Sequence, residues 1–160
     1  KEQCAEAKAE KGAYFEDFYG DISPFVSPLP PDASEFFRRV RTDADAVVSR
    51  LKDRFRRPRP FRRGEGLKKC AGKAGGKSYP SGHAAISRVF ALIISDLAPA
   101  RRAEFFARSD QAALYRVIGG VHHPADIEAG KKAAETIYAR FMENPAFRAE
   151  LETLRKYLKK

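Results

Sequence analysis

Three polar clusters in this sequence contain residue types that can hold and attack a tetrahedral anion such as phosphate. The central cluster, residues 80–83, reads Pro-Ser-Gly-His. The flanking clusters add three cations, a second histidine and a carboxylate, namely Lys52, Arg59, Arg116, His122 and Asp126. Arg binds phosphoryl oxygens in pairs and Lys acts as a point charge, so three cations suit the charge of a phosphoryl transition state. Each residue alone is typical of a protein surface, and only the ordered set predicts chemistry.

The central cluster also has the features of a helix start. Ser81 is a favourable N-cap residue, and the free N–H groups at a helix N-terminus bind anions. Gly82 lets a ligand approach the backbone closely, and the Ser81 hydroxyl can donate a hydrogen bond to a phosphate oxygen. The alternative interpretation is an ordinary capped helix that is followed by a histidine.

The downstream cluster contains a histidine and a carboxylate at a spacing that lets them pair. Pro124 suits the first position of a helix, so Asp126 lies in the first turn and can reach back to His122. A carboxylate on one ring nitrogen fixes the tautomer and leaves the other nitrogen nucleophilic. Alternatively, Asp126 only caps the helix and His122 is a surface histidine. The neighbouring His123 could take either role, but the spacing to Arg116 and Asp126 favours His122.

The elements that carry these clusters are predicted to be helices. Apolar residues recur at helical spacing almost throughout, and no strand pattern is present, so we expect an all-α single-domain helical bundle over residues 1–160. The N-terminal region, residues 1–33, is predicted to contain a helix with a lead-in over 1–19 and an irregular proline-rich segment over 20–33. A helix then runs from a capping box at Asp32 to about Arg56, and a basic loop covers 57–80. The remaining predicted helices run from Ser81 to Pro99, over 100–108, from Ser109 or Asp110 to Gly119, from Pro124 to Asn144, and from Pro145 onward.

The positive charge of the chain is confined to one stretch. Twelve basic and two acidic residues lie between Arg50 and Lys77, so this stretch carries the whole net charge of +10. Such a field concentrates anionic ligands, although a solvated basic loop is an alternative interpretation. Few aromatic residues interleave with the charges, so we expect no nucleic-acid partner, whereas peripheral contact with an anionic membrane stays open.

The two cysteines and the first residue bear on the cellular compartment. Cys4 and Cys70 are either two free thiols or one disulfide, and a disulfide would indicate an oxidising compartment. The sequence begins at Lys1 rather than at methionine, so we expect that a signal peptide has been removed and that the protein is periplasmic or secreted. The most apolar run, Val89–Ile94, is far shorter than the roughly 20 residues of a membrane-spanning helix, and no metal site is expected.

The spacing of the three clusters resembles that of the type 2 phosphatidic acid phosphatase superfamily. This superfamily includes bacterial class A non-specific acid phosphatases, membrane lipid phosphatases and vanadium haloperoxidases. The resemblance spans about residues 52–130. It rests on Lys52 and Arg59-Pro60 with six residues between them, on the tetrapeptide 80–83, on Arg116 and His122 with five residues between them, and on Asp126 after three more residues. It implies an all-helical fold and hydrolysis of phosphate monoesters without a metal or another cofactor, with inorganic phosphate as a product.

The resemblance also implies a role for each matching residue. His122 would be the nucleophile that forms a phosphohistidine, Asp126 would orient it, and His83 would protonate the leaving group and then activate water. The phosphate-binding groups would be Lys52, Arg59, Ser81, the Gly82 backbone N–H and Arg116. Tyr115 departs from the family pattern, which usually has Ser before the third-cluster Arg, so we expect an altered pocket. The chain is also shorter than typical class A enzymes, which implies a more open site that admits bulky substrates.

Two alternative functions stay open. Vanadate would bind the same residues in a vanadium-dependent haloperoxidase, but such enzymes are usually much longer. A basic module that binds anionic lipid or nucleic acid without activity would account for the charged stretch, but it would leave the spacing of His122 and Asp126 unexplained. The sequence does not predict the oligomeric state or the identity of the phosphate ester.

Overall fold

The computed structural model describes residues 2–63, 69–71 and 74–160. These residues form seven α-helices and no strand, which confirms the predicted all-α fold. The helices are α1 (Glu2–Ala9), α2 (Phe15–Tyr19), α3 (Pro31–Phe55), α4 (Gly82–Leu97), α5 (Arg102–Ile118), α6 (Pro124–Glu143) and α7 (Pro145–Thr153). Turns of 3-10 helix cover Glu10–Gly12, Pro60–Arg62, Pro99–Arg101 and Leu154–Tyr157.

Helix α4 lies at the centre of the fold because almost all of its side chains are apolar or small. It packs against α3, α5 and α6, and Phe90, Ile93 and Ile94 are fully buried. Burying each such side chain contributes roughly 1.5–3 kcal/mol. The Ser81 hydroxyl caps the helix by accepting a hydrogen bond from the Ala84 N–H at 3.3 Å. The Pro-Ser-Gly-His tetrapeptide thus lies at the capped N-terminus of the central helix.

A cluster of aromatic rings fixes the N-terminal region to this core. Phe15 on α2 stacks on Phe37 of α3 with ring centroids 4.0 Å apart, and Phe37 meets Phe90 of α4 edge-on at 5.4 Å. Aromatic pairs contribute roughly 0.5–1.5 kcal/mol beyond their buried area. The segment that joins α1 to α2 is therefore held beside the N-terminus of α4.

A glycine lets α6 approach the start of α4 closely. A Cβ at Gly130 would lie 2.5 Å from the Ser81 carbonyl oxygen, so any larger residue would push the two helices apart. At this approach the Ser81 N–H donates to the Asp126 carbonyl at 2.9 Å. The first turn of α6 and the first turn of α4 are thereby joined.

Helix α3 begins earlier than the sequence predicts and lacks the predicted capping box. Pro30 is the N-cap residue and Pro31 is the first helical residue, where a missing N–H costs no hydrogen bond. The carboxylate of Asp32 accepts from the next backbone N–H and from the Tyr157 hydroxyl at 2.6 Å instead of capping the helix. The predicted extension of the irregular segment to residue 33 is therefore wrong.

The predicted break between two short helices near Ser109 is also wrong, because α5 runs without interruption from Arg102 to Ile118. Ser109 is fully buried inside this helix, and its hydroxyl accepts a hydrogen bond from the Arg88 Nε at 3.1 Å. Serine here satisfies a buried arginine of α4 instead of capping a helix. The 3-10 turn at Pro99–Arg101 precedes α5.

The predicted basic loop over residues 57–80 contains only one helical turn in its described part, at Pro60–Arg62. Residues 64–68 and 72–73 of this loop lie outside the described residues. Cys4 of α1 and Cys70 of the loop form a disulfide with their Cα atoms 5.6 Å apart. None of the described helices combines the length and the apolar character needed to cross a membrane.

Candidate active site

Most of the predicted site residues line one cavity of about 200 Å³ beside the N-terminus of α4. The predicted residues in its wall are Lys52, Arg59, Gly82, His83, Arg116 and His122. Ser81 and Asp126 are fully buried behind this wall. A larger groove of about 470 Å³ between α3, α6 and α7 contains none of the predicted residues. The three sequence clusters therefore meet at the smaller and more polar cavity.

The His122 imidazole is paired with the Asp126 carboxylate in the way that the sequence allows. The Nδ1 of His122 lies 3.2 Å from Oδ2 of Asp126, and the same oxygen accepts from the His123 N–H at 2.8 Å. Asp126 therefore caps α6 and holds His122 at the same time. Burial raises the pKa of Asp126, but hydrogen bonds from His122, from the His123 backbone and from Arg57 outweigh burial and lower the pKa to about 2.

The contacts of His122 indicate which ring nitrogen carries the proton. Its Nε2 lies 3.2 Å from the Nη1 of Arg59. Because a guanidinium only donates, Nε2 must accept, and the proton of the neutral ring lies on Nδ1 toward Asp126. The pKa of His122 is lowered to about 4, chiefly by burial; the charges of Arg59 and Lys52 act in the same direction, and Asp126 opposes the shift. Near neutral pH the ring is therefore neutral, with a lone pair on the nitrogen that faces the cavity.

The three predicted phosphate-binding cations are held by backbone carbonyl groups. Lys52 Nζ donates to the Lys77 carbonyl at 3.2 Å, Arg59 donates to the carbonyls of Gly75 and Val121, and Arg116 donates to the Ala7 carbonyl at 2.8 Å. None of the three forms an ion pair with a carboxylate of the described residues. Their positive charges thus remain available to an anion in the cavity.

Burial shifts the pKa of each of these cations downward. Burial, reinforced by the Arg59 charge, lowers the pKa of Lys52 to about 8. Burial also lowers the pKa of Arg59, and it lowers that of Arg116 to about 10 although Glu10 opposes the shift. An anion bound among the three would stabilise their charged forms.

The second histidine, His83, is held by the segment between α1 and α2. Its Nε2 lies 2.9 Å from the Glu10 carbonyl, so Nε2 carries a proton and the neutral ring has its lone pair on Nδ1. The ring also packs edge-on against Phe18 at 6.2 Å. Burial, helped by the charge of Arg116, lowers the pKa of His83 well below its usual value.

Gly82 leaves open space where the helix N-terminus meets the cavity. A Cβ at this position would find only ordinary contacts, the nearest being Asp45 Oδ1 and Val48 Cγ1 at 3.8 Å. The protein itself therefore does not require glycine here, and an anion that approaches the first N–H groups of α4 would use the space. Ser81 accepts from the Ala84 N–H, which leaves its own hydroxyl hydrogen free to donate.

Several groups around the cavity were not predicted. The carbonyl oxygens of Ala7 and Glu10 hold Arg116 and His83, and backbone groups give no signal in a sequence. Arg57 binds Asp126, but nothing in the sequence distinguishes it from the other basic residues around it. Asp45 and Arg41 of α3 line the cavity two and three turns of helix before Lys52, and their helical spacing of seven and eleven residues from Lys52 was the available signal.

Tyr115 does not line the cavity. Its ring is nearly buried in a small cluster with Ala7, Ala71 and Val121. This cluster lies beside the disulfide between Cys4 and Cys70, so Tyr115 supports the attachment of α1. Tyr115 therefore does not alter the pocket by placing its own side chain in the cavity wall.

Comparison with known proteins gives one family and several relatives. A profile of the PAP2 superfamily matches residues 42–142. The acid phosphatase of Zymomonas mobilis is 33% identical over 145 residues, which cover 84% of this chain and 52% of that protein. The non-specific acid phosphatase of Providencia stuartii is 30% identical over 135 residues, covering 81% and 54%, and that of Salmonella typhi is 38% identical over 81 residues, covering 51% and 32%. The chain thus spans about half, or less, of the length of these relatives.

Proposed function

This chain belongs to the PAP2 superfamily, and on that premise we propose that residues 1–160 act as a phosphatase that hydrolyses phosphate monoesters through a phosphohistidine, without a metal ion. One observation carries the proposal. His122 presents an unprotonated Nε2 to a cavity whose wall includes Lys52, Arg59 and Arg116, while Asp126 holds its other nitrogen. The names of the relatives, acid phosphatase and non-specific acid phosphatase, support the same reaction.

The substrate phosphoryl group would bind in the cavity between Arg59 and His122, and it would replace the contact that these two side chains make with each other. Lys52, Arg59 and Arg116 would take its three non-bridging oxygens, with further hydrogen bonds from the Gly82 N–H and the Ser81 hydroxyl. These donors stabilise the charge that spreads over the equatorial oxygens in the transition state. Because their geometry is fixed by backbone carbonyls, little reorganisation is needed when that charge develops.

In the first step, the Nε2 lone pair of His122 attacks phosphorus and the bond to the ester oxygen breaks. His83 gives its Nδ1 proton to the departing alkoxide, while its Nε2 proton stays on the Glu10 carbonyl. A dianionic phosphate raises the pKa of His83 and thereby supplies the protonated ring that this step requires. Asp126 stabilises the positive charge that develops on the His122 ring.

In the second step, His83 accepts a proton from water, and the resulting hydroxide attacks phosphorus. The phosphorus–nitrogen bond breaks, inorganic phosphate leaves, and His122 regains its lone pair. The same residue thus serves as acid and then as base. The disulfide between Cys4 and Cys70 supports a periplasmic or secreted location, because such bonds persist in oxidising compartments.

The test is hydrolysis of p-nitrophenyl phosphate in excess chelator by the wild type, His122→Ala and His123→Ala. We expect the wild type and His123→Ala to be active and His122→Ala to lose at least about a thousandfold in kcat. Rapid quenching with labelled substrate should trap an acid-labile, base-stable phosphoenzyme in the two active proteins only. Activity retained by His122→Ala would refute the mechanism, and loss of activity in chelator would refute metal independence. Bromide oxidation with vanadate and peroxide by a wild type that releases no phosphate would favour the haloperoxidase alternative.

A further inference from the structure

Arg57 contacts Asp126, the carboxylate that holds His122, but it does not line the cavity. Its Nη1 donates to Oδ1 of Asp126 at 3.0 Å, and the Arg57 side chain is 38% exposed whereas Asp126 is fully buried. It is therefore placed to influence His122 only through Asp126, and not by contact with a bound phosphoryl group.

The hydrogen bonds of Asp126 show what Arg57 supplies. Oδ2 accepts from His122 Nδ1 and from the His123 N–H, and Arg57 is the partner of Oδ1. Three donors on the two oxygens restrain rotation of the carboxylate, and with it the direction in which the imidazole points. Without Arg57, one oxygen of a buried carboxylate would have no partner among the described residues, which is a costly arrangement that rotation of the carboxylate would relieve.

Arg57 also weakens the pull of Asp126 on the His122 proton. A cation on the far oxygen withdraws negative charge from the near one, so the carboxylate favours the imidazolium less. Six other charged or titratable groups share the cavity wall with His122: Arg41, Asp45 and Lys52 from α3, Arg59 from the connection after α3, His83 from α4 and Arg116 from α5. They line the cavity and are unchanged by substitution of Arg57.

The position of Arg57 is itself fixed from outside the cavity. Its guanidinium lies over the ring of Tyr79, 5.4 Å from the centroid, and this ring meets that of Phe55 at 4.9 Å. Its carbonyl accepts from the Ser78 N–H at 2.9 Å, two residues before the Pro-Ser-Gly-His tetrapeptide. A cation over an aromatic ring is attracted by the negative face of the ring, so Tyr79 favours this position of the guanidinium.

We propose that Arg57 is a positioning residue for the nucleophile His122, which it aligns and keeps unprotonated by binding the Asp126 oxygen that His122 does not contact, with Tyr79 as its support. This inference rests on the function proposed above. Because the residue acts on the chemical step and not on phosphate binding, its removal lowers kcat and leaves KM and the inhibition constant of inorganic phosphate nearly unchanged.

The experiment compares Arg57→Gln and Arg57→Lys with Arg54→Gln, which removes an exposed charge one turn away on α3. For Arg57→Gln we expect kcat on p-nitrophenyl phosphate to fall about 10- to 100-fold, as for a misaligned reacting group. The acid limb of the kcat/KM profile, which lies near pH 4 in the wild type if it reports His122, should move to higher pH. Arg57→Lys restores the charge and should keep the acid limb in place with an intermediate kcat, whereas Arg54→Gln should match the wild type.

The outcomes separate this inference from the proposed function. If the wild type forms a phosphoenzyme but Arg57→Gln behaves like Arg54→Gln, or raises KM at unchanged kcat, only the role of Arg57 is refuted. A fall in kcat with an unmoved acid limb would likewise reduce Arg57 to a structural residue and refute the proposal. If Arg57→Gln does not fold, Tyr79→Leu provides the test instead, because it removes only the ring that supports Arg57. It should lower kcat and move the acid limb to higher pH, both by less than is expected for Arg57→Gln. Absence of a wild-type phosphoenzyme would instead refute the proposed function.

Discussion

Lys52 is the cation of the candidate site whose charge changes nearest to neutral pH. Burial and the charge of Arg59 lower its pKa to about 8, so the side chain loses this charge as the pH rises through that value. A bound phosphate would favour the charged form, which means that the change affects anion binding most strongly. Lys52 is also tied to the Lys77 carbonyl, so its ammonium is held in place while it titrates.

We therefore expect the inhibition constant of inorganic phosphate to increase in the wild type as the pH rises above about 8. In Lys52→Arg the guanidinium stays charged, so the increase should begin at higher pH. The ratio of the two constants cancels the titration of phosphate itself. Competitive inhibition measured from pH 6 to 10 provides the check, with Lys77→Gln as a control that removes a neighbouring exposed charge. Identical profiles for Lys52→Arg and the wild type would contradict this assignment.

The buried His122 should also make the stability of the fold depend on pH. Its pKa is about 4 in the folded protein against an ordinary value of 6.5, so the unfolded chain binds the proton first as the pH falls. The contribution to stability is complete above about pH 6.5 and is lost as the pH falls toward 4. Asp126, with its pKa lowered to about 2, loses its contribution only at still lower pH.

Urea unfolding at pH 7 and pH 4.5 can measure this effect. Replacing His122 with Gln removes the group, so the loss of unfolding free energy between the two pH values should be smaller than in the wild type by an amount on the order of 3 kcal/mol. His83 contributes in the same direction, since burial lowers its pKa as well, so some pH dependence should remain in the variant. An equal pH dependence in both proteins would show that His122 is not buried as a neutral ring.

Among the elements, the helices that carry strong local signals were predicted well. Helix α4 has a capping serine, an apolar run and a following proline, and its bounds agree with the prediction. Ser109 misled the prediction of α5 because a serine that caps a helix and a serine that meets a buried arginine look the same in a sequence. Pro31 misled that of α3 because proline both interrupts and begins helices.

The same contrast holds for the site. The motif residues were identified from side-chain type and spacing, and the structure brings six of them to one cavity. The carbonyls of Ala7 and Glu10 could not be predicted, because their use depends on where α1 and the turn after it pack. An element with no motif of its own thus completes the surroundings of Arg116 and His83.

This role of α1 leads to a prediction about the disulfide. Cys4 joins α1 to Cys70 across a separation of 66 residues, and closing a loop of that length contributes about 4 kcal/mol in the chain-entropy model. Reduction, or the Cys4→Ser/Cys70→Ser variant, should lower the melting temperature by several degrees. It should also lower kcat/KM, because a loosened α1 withdraws the acceptors of Arg116 and His83.

Calorimetry and p-nitrophenyl phosphate kinetics, with and without dithiothreitol, measure both effects. The double variant is the matched control, because reductant should change the wild type and leave the variant unaffected. A variant with a lower melting temperature and full kcat/KM would show that the disulfide stabilises α1 without serving the site.

At the scale of the whole molecule, the basic stretch forms an exposed surface beside the site. The exposed basic residues of its described part are Arg50, Arg54, Arg56, Arg62, Arg63, Lys69 and Lys77. Phe55 projects among them with 54% of its surface exposed, next to Tyr79. Cations around an exposed aromatic ring are the composition of a peripheral membrane contact, in which each basic residue near an anionic surface contributes about 1 kcal/mol.

We expect the protein to sediment with vesicles that contain phosphatidylglycerol and to stay in solution with pure phosphatidylcholine vesicles. Because the attraction is electrostatic, binding should decrease steeply between 50 and 300 mM salt. Replacing Arg50, Arg54 and Lys77 together with Gln should weaken the binding at least about tenfold, if each cation contributes even half of its usual amount. Replacing Lys132, Arg140 and Lys160 with Gln removes equal charge outside this surface and should leave most of the binding intact. Equal loss in the two triple variants would mean that net charge, and not this surface, attracts the protein to the membrane.

Phe55→Ser should weaken the binding that persists at high salt, because that part depends on the aromatic ring.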